Sequence, residues 1–212
     1  MLTASTCDKK YYIKLALWAF AIVGVGFILW ALDWKILYAI QWIRGGFLDF
    51  IVPLYTTLGE WAIMWIVIGL VMMIFKKYRK CGFFVLVSLL FGLLICNIGL
   101  KNIIARDRPC YLVPLEFWES IKLVGDPSEF SFPSGHSVSS MAAAFTIFLH
   151  HKKLGKVAVA LAILMGLSRL YVFVHFPTDV YGGLLIGAAI AYAVYYIQNK
   201  ITEKRNKSTE TK

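Results

Sequence analysis

Two histidines, three basic residues and an aspartate stand where the long apolar runs of this chain break into polar sequence. His136 follows Phe132-Pro133-Ser134-Gly135 at the start of one apolar run. His175 lies in a short polar break after Ser168-Arg169, with Asp179 four residues further on. Lys101 and Arg108 frame the segment KNIIARDRP, which ends in Pro109. An imidazole titrates near neutrality and can act as nucleophile, acid or base. A guanidinium matches phosphate oxygens with two parallel hydrogen bonds. One histidine attacking phosphorus, another protonating the leaving oxygen, and cations on the non-bridging oxygens would together perform phosphoryl transfer.

Each residue also has a plainer reading. Lysines at helix ends often snorkel to lipid headgroups, and an aspartate in a first helical turn is often only stabilised by the helix dipole. Ser134 suits a helix N-cap, and the preceding Pro133 and following His136 fit a simple capping sequence. Gly135 lets a backbone amide approach a ligand closely, and amides at a helix start bind anions. Asp179 is near enough to His175 to hold one ring nitrogen and fix its tautomer. Lys101 and Arg108 would share a face if their helix continued, two turns apart. The plain readings would all have to hold at once, at the ends of four different apolar runs. The concerted reading is simpler. Arg106, inside the same basic segment, would touch either the substrate or merely the headgroups, the second being the plainer reading.

The elements that would position these residues are membrane helices. Of 212 residues 59% are hydrophobic and only 16% charged, against about 25% charged in soluble domains. The net charge of +10 would suggest nucleic acid in a soluble protein, but here the basic residues sit between apolar runs, so no nucleic-acid partner is expected. The expected architecture is all-α and polytopic, with six transmembrane helices near 13–32, 57–75, 82–103, 134–150, 154–173 and 177–198. Residues 34–53 are apolar but interrupted by Lys35, Arg44, Gly45, Gly46 and Asp49, which predicts an interfacial helix. The polar stretch 104–132 is long for a connection, and such loops are often functional. A charged tail at 199–212 is expected to fray. Gly183 and Gly187 have the spacing of close helix packing, which does not by itself make a dimer.

Charge predicts the orientation. Six spans put both termini on one side, together with Lys76, Lys77, Arg79, Lys80, Lys152, Lys153 and Lys156. Most of the 22 basic residues fall on that side. Cytoplasmic loops carry the Lys/Arg excess, so both termini read as cytoplasmic and the polar loop as extracytoplasmic. Cys7 and Cys81 then lie on the inner side, Cys96 in the membrane and Cys110 outside, which gives no disulfide framework and no metal spacing. Charges gathered at one face, without an inverted repeat, disfavour a transporter. The presence of both histidines disfavours a sensor that has lost catalysis.

The same residues spell three motifs in order: K-x6-R-P at Lys101, Arg108 and Pro109; P-S-G-H at Pro133 to His136; and S-R-x5-H-x3-D at Ser168, Arg169, His175 and Asp179. In this the chain resembles the type 2 phosphatidic acid phosphatase family of membrane enzymes. The resemblance implies an acid phosphatase/vanadium haloperoxidase-like helical core and a single integral-membrane domain over 1–212. It implies His175 as nucleophile, Asp179 as its orienting carboxylate and His136 as general acid. Lys101, Arg108 and Arg169 would clamp the phosphate, with Ser134 and the Gly135 amide completing the seat. It implies no metal and no cofactor. The substrate would be a lipid phosphate or pyrophosphate taken from the membrane, foremost undecaprenyl pyrophosphate, with phosphatidylglycerophosphate or phosphatidic acid as the alternative. Arg106 is outside the motifs, and the oligomeric state is left open.

Overall fold

A computed structural model describes the backbone of residues 6–210 and the side chains of 11–208. Among the described residues every regular element is helical. The first helix, α1 (Thr6–Gln41), is 36 residues long, about 54 Å at 1.5 Å per residue. That exceeds a hydrocarbon core of about 30 Å, so the helix is longer than a straight span needs. Trp34 and Leu37 of its last turns pack into the cluster at the site end of the bundle, with Phe173, Phe176 and Trp118. The expected interfacial helix at 34–53 is therefore corrected. Its first half continues α1, a turn follows at residues 42–45, and its second half belongs to α2 (Gly46–Thr57). The glycines that suggested a mere interruption adopt positive φ, 129° at Gly45 and 52° at Gly46. They reverse the chain where other residues would be strained.

Next come α3 (Ile63–Ile74) and α4 (Arg79–Gly92), then α5 (Lys101–Ile104), α6 (Leu115–Ile121), α7 (Gly135–His150), α8 (Lys152–Tyr171) and α9 (Pro177–Glu210). Four stretches among the described residues are long and apolar enough to cross a membrane: Tyr11–Gln41, Arg79–Tyr111, Lys152–Tyr171 and Pro177–Ser208. Helix α2 and the segment Glu60–Ile74 make a fifth if taken together, bent by 56°. The expected count of six is not reproduced by length and composition. Helix α7, read as the fourth span, has 16 residues, short of the roughly 20 a straight span needs. It is the buried centre of the bundle, packed along α4, α8 and α9. The tail expected to fray from Lys200 continues α9 as helix to Glu210.

Small residues make this packing close. A Cβ at Gly183 would lie 2.8 Å from Ser137 Cβ and 2.9 Å from the Ser134 carbonyl oxygen. The glycine pair of α9 thus seats α7 within the chain, the small-residue contact typical of membrane helices. Polar pairs bridge the same bundle: Trp65 Nε1 donates to Ser140 Oγ at 2.8 Å, and the Ser88 and Thr146 hydroxyls meet at 2.8 Å. Cys81, Cys96 and Cys110 are free thiols, all buried; the side chain of Cys7 lies outside the described residues. Large apolar side chains such as Phe20, Trp30 and Ile74 are exposed along the helices, as lipid-facing positions are. The protein is a multi-pass membrane protein.

Candidate active site

Lys101 is delivered by a change of helix type. After Gly92 the fourth helix widens into a π-helical stretch, Leu93–Leu100, before α5. Leu93, Asn97 and Lys101, four residues apart along the chain, all line one cavity. The helix ends at Ile104, capped by Ala105 in the left-handed region at φ 47°. Arg108 is then reached in extended backbone, so Lys101 and Arg108 do not share a helix face. They converge across the loop.

His175 occupies the turn between α8 and α9, where Phe173 adopts φ 61°. It is 1% exposed. Arg108 Nη1 donates to His175 Nε2 at 3.2 Å and to the Val174 carbonyl at 3.1 Å. A nitrogen accepting that bond carries a lone pair, which places the ring proton on Nδ1. Nδ1 faces Asp179 Oδ2 at 3.6 Å and Ser131 Oγ at 3.4 Å. Ser131 donates in turn to Asp179 Oδ2 at 2.5 Å. The expected direct carboxylate–imidazole pair is therefore looser than a hydrogen bond, with the Ser131 hydroxyl beside it. Burial first, then the cations Arg108, Arg169 and Lys101, push the His175 pKa well below the usual histidine value. That environment favours the neutral ring.

Across the cavity Ser134 caps α7, its Oγ accepting from the Ser137 amide, and its own amide donates to the Asp179 carbonyl at 3.1 Å. A Cβ on Gly135 would stand 3.7 Å from Lys101 Nζ, so the missing side chain leaves room beside that cation. His136 Nε2 is buried and has no hydrogen-bond partner among the described residues; the same is true of Arg169 Nε. Buried polar atoms without partners are rare and point to an absent ligand or water. Arg169 Nη1 donates to Thr56 Oγ1 at 2.7 Å, so Thr56 anchors that guanidinium.

Lys101, Arg108, Gly135, His136, Arg169 and His175 all line one cavity of about 560 Å³. Ser134 and Asp179 lie behind its wall, each fully buried. Much of the remaining lining is apolar, with Ile66 of α3 and Leu86, Leu89, Leu90 and Leu93. Three neighbours escaped the sequence reading. Glu129 pairs with Lys101, and its carbonyl accepts from Arg108 Nε at 2.6 Å. Ser131 and Thr56 are the others. Lone hydroxyls and a loop glutamate carry no motif, so only the fold could reveal them. Arg106 corrects a reading outright. Its Nη1 donates to Asp179 Oδ1 at 2.6 Å and its Nη2 to Asp33 Oδ2 at 2.7 Å. It is turned into the protein rather than toward headgroups.

The PAP2 superfamily profile matches residues 82–203. That stretch is more than half of the chain and holds every motif residue named above. The chain belongs to the PAP2 superfamily. It is 36% identical over 142 residues to phosphatidylglycerophosphatase B of Bacillus subtilis, covering 61% of this chain and 65% of that protein. It is 30% identical over 126 residues to undecaprenyl-diphosphatase of Sulfolobus acidocaldarius, covering 59% of each. The matches span between 40% and 65% of the length of such curated relatives. In three dimensions it is similar to a transmembrane PAP2 type phosphatidylglycerolphosphate phosphatase from Bacillus subtilis. The TM-score is 0.65 at 29% identity, covering 85% of this chain and 96% of that one.

Proposed function

We propose that this member of the PAP2 superfamily hydrolyses a lipid-linked phosphate monoester or pyrophosphate through a phosphohistidine intermediate. One observation carries the reading. Two imidazoles and three cations line a single cavity in which His136 Nε2 and Arg169 Nε are buried without partners. Its apolar wall on α3 and α4 suits a lipid chain leading to the phosphate.

The reaction runs in two steps. The terminal phosphoryl oxygens take up Lys101, Arg108, Arg169 and the amides at the start of α7. Arg108 shifts its donor from His175 Nε2 to the phosphate and frees the lone pair. Nε2 bonds to phosphorus as the lipid oxygen departs, and His136, protonated in the substrate complex, gives that oxygen its proton. In the second step neutral His136 removes a proton from water. The hydroxide forms the new P–O bond, the Nε2–P bond breaks, and inorganic phosphate leaves. Asp179 and Ser131 hold Nδ1–H throughout and stabilise the cationic ring.

The substrate read first is undecaprenyl pyrophosphate, in line with the named activity of the Sulfolobus relative. A phosphatidylglycerophosphate or phosphatidic acid is the second reading, favoured by the likeness to the Bacillus phosphatidylglycerolphosphate phosphatase, which covers 96% of that chain. We take residues 1–212 as one phosphatase domain, working without a metal. The Lys/Arg distribution supports cytoplasmic termini and an extracytoplasmic site.

The test is phosphate release from a panel of polyprenyl pyrophosphates, phosphatidylglycerophosphate and phosphatidic acid, measured with purified protein in chelator. Wild type should turn over at least one, and His175→Ala should insert but release none. Turnover by His175→Ala would refute the nucleophile, and loss of wild-type activity in chelator would refute the metal-free mechanism.

A further inference from the structure

We propose that Asp33, on the first helix, is a positioning residue for this reaction: through Arg106 it fixes Asp179, and through Asp179 the imidazole of His175. The inference rests on the phosphatase reading above.

The membrane-crossing window of α1 is 0% buried, yet Asp33, near the site end of that helix, is only 3% exposed. A buried carboxylate is costly unless paired and hydrogen-bonded, and this one is used fully. Its Oδ1 accepts the Thr178 amide at 3.0 Å, one of the unpaired amides at the start of α9. Its Oδ2 accepts the Thr178 hydroxyl at 2.6 Å and Arg106 Nη2 at 2.7 Å. The other prong of the same guanidinium, Nη1, donates to Asp179 Oδ1 at 2.6 Å and to Thr178 Oγ1 at 2.7 Å. Arg106 also lies over the Phe176 ring, 4.1 Å from its centroid.

One planar cation is thus held between two buried carboxylates. The oxygen of Asp179 facing the nucleophile, Oδ2, is set by Ser131 and by the Phe176 amide at 2.7 Å. The opposite oxygen is set by Arg106 alone among the described residues. Arg106 can aim Asp179 only if something fixes Arg106, and Asp33 supplies that from a separate helix. Asp33 does not line the cavity, so its influence on the reaction passes through this chain of contacts.

The experiment uses the purified full-length protein in detergent, with a C15 prenyl pyrophosphate and dioctanoyl phosphatidic acid as probes. Asp33→Asn is expected to lower kcat by about 10- to 100-fold, the cost of a small misplacement of a reacting group. KM and the inhibition constant of inorganic phosphate should change by less than about threefold, because Lys101, Arg108 and Arg169 are untouched. In an Asp179→Asn background the Asp33→Asn change should cost nothing more, since residues acting through one group are non-additive. Arg106→Lys should fall between wild type and Arg106→Gln, and these two variants repeat the test if Asp33→Asn does not fold. Wild-type kcat in Asp33→Asn overturns the proposal. So does an equal fractional loss with and without the Asp179 carboxylate, or a loss of phosphate inhibition that tracks a falling Tm, which would mark structural support alone. A wild type that releases phosphate from neither probe, nor from phosphatidylglycerophosphate, sinks the phosphatase reading, and this inference with it. An active wild type beside an indifferent Asp33→Asn sinks this inference alone.

Discussion

His175 shows how burial and charge act on one side chain. In the unfolded chain a histidine takes up a proton below about pH 6.5, whereas the folded ring, buried among cations, resists it. The unfolded state then binds more protons, so stability contributed at this site is complete above that pH and declines as pH falls below it. The expected slope is up to about 1.4 kcal/mol per pH unit. Thermal melts in detergent between pH 7.5 and 5.5 should show a steeper loss for wild type than for His175→Asn. Equal slopes would mean that the folded ring protonates as freely as the unfolded one. His136 depends on a different kind of constraint. A Cβ on Gly59 would come within 2.6 Å of His136 Cδ2 and of Met165 Sδ. Gly59→Ala should therefore shift the imidazole and lower kcat by roughly tenfold or more, while inhibition by inorganic phosphate, held mainly by the cations, changes little. Unchanged turnover would show that His136 has room to spare.

At the scale of elements, the groups proposed to react come from separate helix ends, and α7 packs against α9 between them. His136 starts one of these helices and Asp179 the other, joined by the Ser134 amide on the Asp179 carbonyl. Gly183 lies where the two backbones meet. Gly183→Val would force them apart, and overpacking of this kind costs about 1–3 kcal/mol. Lower Tm together with lost phosphate binding is expected. A variant with normal kcat would show that the contact is slack. A π-helical stretch, Leu93–Leu100, leads into Lys101. Its sequence, LLICNIGL, carries no mark that separates it from ordinary helix.

For the whole molecule, the clamp, both histidines and the loop over residues 105–132 gather at one end of the bundle, while the basic turn between α7 and α8 lies at the other. The proposed orientation predicts labelling by a membrane-impermeant maleimide in intact cells for Ser128→Cys, and only after permeabilisation for Lys153→Cys, in a background lacking Cys7. Both positions are exposed, and the reverse pattern would invert the topology. The helical class, the membrane location and the family followed from apolar run length and three spaced motifs, because hydrocarbon thickness and phosphate chemistry act on local sequence. The same locality explains why the start of α7 at Ser134 was legible. What sequence could not give were features that depend on distant partners. Only the folded chain buries Asp33 of α1 against the start of α9, turns Arg106 onto two carboxylates, and sets Ser131 beside His175. A buried charge is decided by what surrounds it in space, and for Arg106 those surroundings lie 73 positions away in the chain on both sides.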